Sequence, residues 1–527
     1  MSVKHHYDIV VIGASIGGVL AAYSAAKSGK KVVLTEETDW IGGQLTSQAV
    51  PPDEHKWIEE FGCTSTYRSY RNKVRDYYRS HPFISNDLKD KDLFCPGGSS
   101  VSRLSHEPKV ALHFLNELLL PFINNGSLTL LLNHKAVSSK KDNEVISEVT
   151  IENLNTKRQL TLTGLYFLDG TDVGDLLPIT DTDYVTGAES KDETNELHAN
   201  ETRDPYDMQP VTWVAAVDYV EGENHVIEKP IEYEFYKKLM QPYDQYPILS
   251  WYGPDSSTGK AKQFGMFPKE KGENGENLFS LWTYRRIVAP HHYTENFQPN
   301  DITLINWPQN DYFLGNLFED DNIEHHRHMA KQLTLSFVYW LQTEAPRKDG
   351  GVGYPGIRLR GDVLGTEDGL AKYPYIRESR RIKSLFTVNE NHINANVVKQ
   401  LPTFYDTVGV GCYHIDLHIT TKTNKFFYDH SWPFEIPLGS MIPVKTKNLI
   451  PACKNIGTTH LTNGCFRLHP VEWNIGEVAG YLASYAIDNN LSLIQIRNNH
   501  NHLEAFQALL VENGIELHWP KDQVTPI

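Results

Sequence analysis

What the sequence lacks narrows its biology first. It has five cysteines in 527 residues (Cys63, Cys95, Cys412, Cys453 and Cys465), and no two stand in CxxC spacing. That is too few for a disulfide-held scaffold, and no thiol pair is placed for disulfide exchange. Free or buried thiols in a reducing compartment are expected. An excess of positive charge is also missing: Lys plus Arg is 50 against 66 for Asp plus Glu, a net charge of −16. A chain this acidic is a poor partner for nucleic acid or for anionic membrane surfaces. Long apolar runs are absent apart from residues 9–26, where Asp8 stands at the entrance and Gly13, Gly17 and Gly18 interrupt. Inside that run the β-branched Ile9-Val10-Val11-Ile12 gives way to helix-forming Val19-Leu20-Ala21-Ala22. The change of period spells strand, tight turn, helix, and not a membrane span or signal sequence. A soluble, cytoplasmic protein is expected, with no internal repeat and no low-complexity tract.

What is present suits a large enzyme. Hydrophobic residues make up 40% and charged residues 22%, enough for a large core and too apolar for disorder. The length fits two to four domains. With 27 Tyr, 10 Trp and 21 Phe, the aromatic load suits deep pockets for flat ligands.

The turn after the first strand reads Gly13-Ala14-Ser15-Ile16-Gly17-Gly18. In a dinucleotide fingerprint the first glycine makes the tight turn, the second lets backbone approach the pyrophosphate, and the third lets helix pack on strand. Ser15 takes the second place here; its small side chain keeps the approach open and its hydroxyl is able to bond a phosphate. The pyrophosphate is then expected at the helix N-terminus. A second strand, Lys31-Val32-Val33-Leu34-Thr35-Glu36, ends in an acid about 20 residues on, where a ribose-binding carboxylate belongs. Glu37 is the neighbouring candidate, expected on the other face of that strand. Then comes Asp39-Trp40-Ile41-Gly42-Gly43-Gln44.

An acid followed by such a glycine doublet resembles flavoproteins of the glutathione-reductase and fumarate-reductase type. The resemblance extends further. Residues 162–178 look like the second FAD motif, with Asp169-Gly170-Thr171 in place of the usual Ala-Thr-Gly turn. Residues 464–480, with Arg467, Pro470 and Gly476, are similar to the carboxy-terminal flavin motif, whose backbone amides face the pyrimidine end of the flavin. Other matching stretches are 99–104, 282–286, 306–311 and 374–381, so the likeness covers residues 7 to about 485. The departures are Ser15, Asp169-Gly170-Thr171 and Cys465 where serine is common. The chain thus resembles the large bacterial FAD-dependent oxidoreductases. That likeness implies FAD held by Gly13, Ser15, Ile16, Gly17, Gly18, Glu36 or Glu37, Gly42, Gly43, Gln44, Asp169, Gly170, Thr171, Arg467, Pro470 and Gly476. The fold class implied is α/β: a Rossmann-like FAD-binding domain with an inserted mixed β-sheet and helical substrate domain.

Because these motifs lie far apart, the FAD-binding domain is expected to be discontinuous. Residues 1–200 form its first part, 201–400 a substrate or cap domain, 401–490 its return segment and 491–527 a helical tail. Helical periodicity marks 325–343 and, in the tail, Leu503, Phe506, Leu509 and Leu510, with Gly514 as the stop. Strand-like pieces lie at 211–219 and 279–284. The glycine-rich 350–356 reads as a loop, since no β-branched strand precedes it.

For catalysis, Arg377, Glu378, Arg380 and Arg381 form the densest charge cluster. A carboxylate clamp and a structural staple are both open for Arg377 and Arg380, and for Tyr284 and Arg285. Tyr413-His414-Ile415-Asp416-Leu417-His418 alternates, so in a strand His414, Asp416 and His418 share a face. His414 is the expected base, oriented by Asp416, with a structural network as the alternative; His460 and His469 are further candidates, and no metal is expected. The expected activity is dehydrogenation or desaturation of a small carboxylate- or amine-bearing substrate by hydride transfer to flavin. O2 or another acceptor reoxidises the flavin; no nucleic acid or membrane partner is expected, and assembly as a homo-oligomer is open. An NAD(P)H-dependent flavin monooxygenase and a non-catalytic or RNA-modifying flavoprotein are the alternatives.

Overall fold

The computed structural model describes residues 4–242, 244–297 and 299–527. The β-branched run becomes strand β1 (Ile9–Ile12), buried along its whole length. Gly13, at φ +86°, turns the chain into helix α1 (Ile16–Lys27), whose cap is Ser15: its Oγ accepts from Gly18 N at 3.3 Å. Strands β2 (Val32–Glu36), β3 (Leu128–Leu132) and β4 (Tyr166–Asp169) follow, and Leu449–Pro451 completes a five-stranded sheet. Its order is Leu449–Pro451, β4, β1, β2, β3, with every pairing parallel. Near-continuous Val, Ile and Leu runs suit such a sheet, because both of its faces are covered. The register sets Ile12 beside Thr35 on one side and Asp169 on the other, and Asp169 beside Pro451. All strands therefore end at one level, the edge where open parallel sheets bind ligands.

Before β4 the chain makes an antiparallel meander, His134–Asp142, Val145–Asn153 and Gln159–Thr163, which Lys4–His6 joins in parallel. After β4 it builds a second, antiparallel sheet from β5 (Ala215–Tyr219), β6 (Arg286–Val288), β7 (Ile302–Ile305) and β8 (Ile357–Leu359), ordered β6, β7, β5, β8. Helix α2 (Ile323–Thr343) packs on it, and Val217, Leu304, Trp307, Phe337 and Leu341 share its core. Two strand expectations need correction. Residues 211–219 break into Val211–Thr212 and Ala215–Tyr219. Phe279–Tyr284 is a strand only over Phe279–Ser280, because Ser280 Oγ then accepts from Thr283 N at 3.3 Å and caps a helical turn, Leu281–Tyr284.

The chain returns through β9 (Ile415–Leu417), paired with β10 (Phe427–Asp429), and then through β11 (Leu449–Pro451), the fifth strand of the parallel sheet. Helices α3 (His460–Phe466), α4 (His469–Asn489) and α5 (His500–Glu512) close the fold. The contact of α4 with α1 is backbone-close. A Cβ on Gly476 would stand 2.1 Å from Gly17 O, and one on Gly480 2.1 Å from Ser24 Oγ. Leu503, Phe506 and Leu510 of α5 are buried, and Gly514 follows at φ +79°. Among the described residues no helix is long and apolar enough to cross a membrane.

Candidate active site

A cavity of about 490 Å³ opens at the carboxyl ends of β1, β2 and β4, lined by Gly13, Ser15, Glu36, Glu37, Gly170, Thr171 and Val173 among others. Its floor is two backbone turns in contact. A Cβ on Gly13 would lie 2.6 Å from Thr171 N, and one on Gly170 2.5 Å from Gly13 O. No residue but glycine fits either place, and at Gly13 the left-handed φ adds to the constraint. Asp169 fixes the second turn: Oδ1 accepts from Thr171 N at 3.0 Å and Thr171 Oγ1 at 2.7 Å, and Oδ2 from Leu176 N at 3.2 Å. Burial lifts its pKa to about 7 in spite of these bonds.

Glu36 ends β2 with its carboxylate turned to the same cavity. Oε2 accepts from Ala14 N at 3.0 Å, and Oε1 from Thr38 N and Thr38 Oγ1 at 2.9 and 2.8 Å. Burial, then the charge of Glu37, raise its pKa to about 8. Glu37 lines the cavity too, with Lys135 Nζ 3.7 Å from its carboxylate. It does not face away from Glu36, because β2 ends at Glu36 and strand alternation ends with it.

Gly42 and Gly43, at φ +106° and +47°, bend the next segment back over the glycine turn. There a Cβ on Gly43 would lie 3.0 Å from Ser15 Cα. Gln44 is fully buried and its Nε2 donates to Arg467 O at 3.0 Å; its Oε1 has no partner. Two residues that the sequence motifs did not single out share this corner. Lys454, wholly buried, reaches Asp172 Oδ1 at 2.7 Å and Glu472 Oε2 at 3.6 Å. Glu472 Oε1 in turn accepts from Gly17 N at 3.3 Å, at the N-terminus of α1. Asp172, Cys453 and Glu472 converge as metal ligands would, but the Lys454 ammonium already supplies their positive charge.

Residues 47–53 and 373–377 run side by side away from this cavity. Tyr373 N donates to Ser47 O at 3.0 Å and Ile376 N to Gln48 Oε1 at 3.3 Å. They lead from the first cavity, which Tyr373 lines, to a second of about 640 Å³, which Asp53, Tyr375 and Arg377 line.

The second cavity is built from ion pairs. Arg285 grips Asp53 with two bonds, at 2.5 and 3.0 Å. Arg377 donates to Asp311 Oδ1 at 2.8 Å, and to Pro210 O and Thr212 Oγ1, both at 2.9 Å. Arg467 donates to Asp416 Oδ2 at 3.0 Å and to Tyr375 OH at 2.7 Å. His418 joins the last two pairs, with Nδ1 2.6 Å from Asp311 Oδ2 and Nε2 3.6 Å from Asp416 Oδ2. Burial opposes ionisation of all three aspartates, yet the facing cations win: Arg285 holds Asp53 low, Arg377 and His418 hold Asp311 low, and His418 and Arg467 hold Asp416 low. For His418, burial and Arg377 disfavour the cation, but the two aspartates outweigh them and its pKa is raised.

Sequence candidates divide across this geometry. Arg377, Arg285 and Tyr284 line the second cavity, but both arginines are already engaged by aspartates and do not present an open clamp. Arg380 lies elsewhere: it donates to Glu319 at 2.6 Å, Asp175 at 3.2 Å and Val173 O at 3.0 Å, and so staples the wall of the first cavity. Glu378 is bound by His460, Arg381 and Gln209 N. His414 is displaced as the expected base. It lines an adjoining cavity of about 970 Å³ with Asp416, burial lowers its pKa, and the imidazole beside Asp311 and Asp416 belongs to His418. The strand is short, only Ile415–Leu417, so alternation does not carry all three side chains into one pocket. His469 lies at the start of α4, where its Nδ1 accepts from Asp53 N at 3.1 Å. Asp53 and Asp311 were missed as site residues: nothing local marks Asp53, and Asp311, although it closes the family-like stretch 306–311, acquires its arginine, as Asp53 does, from a distant segment.

A parallel sheet, a glycine turn and a cavity at the strand ends define a dinucleotide-binding α/β protein. Residues 8–510 match the model of the FAD dependent oxidoreductase family, and the chain belongs to that family. It is an oxidoreductase enzyme with FAD as its cofactor. Among curated proteins it is 35% identical over 98 residues to digeranylgeranylglycerophospholipid reductase of Methanocaldococcus jannaschii, a match covering 18% of this chain and 20% of that one. It is 24% identical over 161 residues to soluble pyridine nucleotide transhydrogenase of Marinobacter nauticus, 31% of each chain. The matches thus span less than a third of those relatives. A geranylgeranyl bacteriochlorophyll reductase-like protein from Thermoplasma acidophilum overlaps 98% of this chain and 86% of its own, at 11% identity and a TM-score of 0.29, too distant an overlap to inform function.

Proposed function

We propose that the chain is an FAD-dependent dehydrogenase or oxidase that takes a hydride from a small polar substrate seated in the cavity of Arg–Asp pairs. The observation that carries this reading is that the segments 47–53 and 373–377 each line the dinucleotide cavity at one end, through Ser47 and Tyr373, and the charged cavity at the other, through Asp53, Tyr375 and Arg377. The residues present fit the cofactor. The Gly13 and Gly170 turns pack backbone on backbone with no space for a Cβ and so form a side-chain-free floor under the first cavity, and Gln44 Oε1, Gln48 Nε2 and Asn463 Oδ1 are buried without partners. On this reading Glu36 receives the ribose hydroxyls, the first turn of α1 faces the pyrophosphate, and Gly42–Gln44, Arg467, Pro470 and Gly476 bound the flavin end. FAD, when bound, supplies the two-electron acceptor.

The chain's own residues do the rest. The aspartates hold the guanidiniums rigid, so the cavity is organised before substrate arrives. His418 Nε2 accepts the substrate proton, and Asp311 on Nδ1 fixes the tautomer and stabilises the resulting imidazolium. The test is anaerobic mixing of the yellow protein with a metabolite panel, without NAD(P)H. Bleaching at 450 nm by a substrate supports the reading; bleaching only by NAD(P)H indicates the monooxygenase.

A further inference from the structure

With His418 in its neutral, proton-accepting form between Asp311 and Asp416, the second cavity is balanced in charge. Asp53, Asp311 and Asp416 face Arg285, Arg377 and Arg467 one to one, and all six side chains are nearly buried. A carboxylate ligand that took over one of these guanidiniums would strand a buried aspartate, and an ammonium that took over an aspartate would strand an arginine. Either loss is costly, because an unpaired charge would remain in a low-dielectric site. Neutral groups that both donate and accept hydrogen bonds meet no such penalty. Polar hydrogens for them are at hand: Asn306 Nδ2, Trp307 Nε1 and the Nε atoms of Arg285 and Arg377 are buried with no partner. Groups of this kind are costly until a ligand satisfies them.

The cavity also continues outward. It shares Pro254, Ser256, Tyr284, Pro308, Tyr413 and Asp416 with the adjoining cavity of about 970 Å³. That outer chamber adds Phe264, Phe279 and Tyr428. A charge-paired inner chamber thus opens into an aromatic outer one, and flat rings offer broad contact to the C–H faces of a bulky neutral ligand.

We propose that the two chambers bind a neutral, polyhydroxylated substrate of more than one ring, an oligosaccharide or glycoside, with one sugar unit among the Arg–Asp pairs and the next against the outer aromatics. This rests on the proposed function only for the claim that the bound molecule is a substrate. Hydroxyl groups satisfy donor and acceptor together, which the inner wall demands, while the outer aromatics favour a second ring over a single one.

The test is calorimetric titration of the FAD-loaded protein at pH 7.5 with glucose, xylose, maltose, cellobiose and lactose, and with glucuronate and 6-amino-6-deoxyglucose as charged counterparts. At least one neutral disaccharide is expected to bind tenfold or more tighter than the neutral monosaccharides. Both charged sugars are expected to bind at least tenfold more weakly than glucose. Trp307→Phe, which keeps the ring and removes Nε1–H, should weaken all neutral sugars about three- to tenfold. Tyr428→Ala should erase the disaccharide advantage and leave monosaccharide affinity within twofold. Glucuronate or 6-amino-6-deoxyglucose binding as tightly as glucose, no saturable binding of any neutral sugar, or an equal effect of Tyr428→Ala on one and two rings would each overturn the proposal. FAD content, read by absorbance in the same samples, reports on the cofactor reading separately, so loss of one does not masquerade as loss of the other.

Discussion

On the proposed reading Gly13, Glu36 and His418 each act through one atom or one missing atom, and each gives a distinct measurement. Gly13→Val places a Cβ within 2.6 Å of Thr171 N at a left-handed φ, so the variant should purify without stoichiometric FAD; a fully yellow variant would mean the turn does not border the cofactor. Glu36→Ala removes a charge-assisted acceptor worth about 1.5–3 kcal/mol, so FAD should bind roughly ten- to a hundredfold more weakly, whereas Glu37→Ala should cost less than threefold. The Glu36 pKa of about 8 adds a pH signature. Ribose hydroxyls favour the ionised carboxylate, so FAD binding should release a proton and tighten from pH 6 to pH 8 in the parent but not in Glu36→Gln. For His418 the sign runs with its raised pKa. The neutral ring is the base, so flavin reduction by substrate should accelerate as pH rises through a value above 6.5. His418→Gln should slow that step about a hundred- to ten-thousandfold while FAD remains bound, and His414→Gln should not.

At the scale of elements, legibility followed the range of the interactions. Ile9–Ile12, the glycine turn and Ile16–Lys27 could be read from the sequence because strand, turn and helix are each decided by neighbours within a few residues. Helix α5 and its stop at Gly514 were legible for the same reason. The residues 279–284 were not, because a hydroxyl cap at Ser280 overrides their strand-like composition. The second cavity was least legible. Arg285 meets Asp53 across 232 positions and Arg377 meets Asp311 across 66, so sequence marked the arginines but not what neutralises them. The same long reach sets the seam between α1 and α4. A Cβ at Gly476 would stand 2.1 Å from Gly17 O, a backbone atom that cannot swing aside. Gly476→Leu should therefore destabilise by at least the ~1–3 kcal/mol of ordinary overpacking, lowering the melting temperature by several degrees and weakening FAD with it. A surface control, Gly222→Ala, where no atom lies within 4 Å of the added Cβ, tests only the cost of its positive φ.

For the whole molecule, two sets of buried carboxylates pull stability in opposite directions with pH. In the first set burial raises the pKa: Glu36 to about 8, and Asp169, Glu196 and Glu477 to about 7. A raised pKa means the folded state holds the proton more tightly than the unfolded chain. Stability from these groups is complete below their ordinary values near 4 and drains away as pH rises through 7 to 8. In the second set, Asp53, Asp311, Asp416 and Glu378 are held low by arginine and histidine partners that outweigh burial. Their contribution is present above pH 4 and is lost as pH falls below it. The cofactor-free protein should thus melt highest at about pH 4 to 5 and progressively lower toward pH 8.5, by several degrees in all. Glu36 lines the first cavity, whereas Asp169, Glu196 and Glu477 line neither of the two cavities. Saturation with FAD should therefore flatten part of the decline between pH 6.5 and 8.5, since ribose hydroxyls stabilise ionised Glu36, and leave the acid limb unchanged. Melting curves of cofactor-free and FAD-loaded protein across pH 4 to 9 measure both limbs. An alkaline decline of equal depth in the two forms would place the titrating carboxylates away from the cofactor and remove Glu36 from its assigned role.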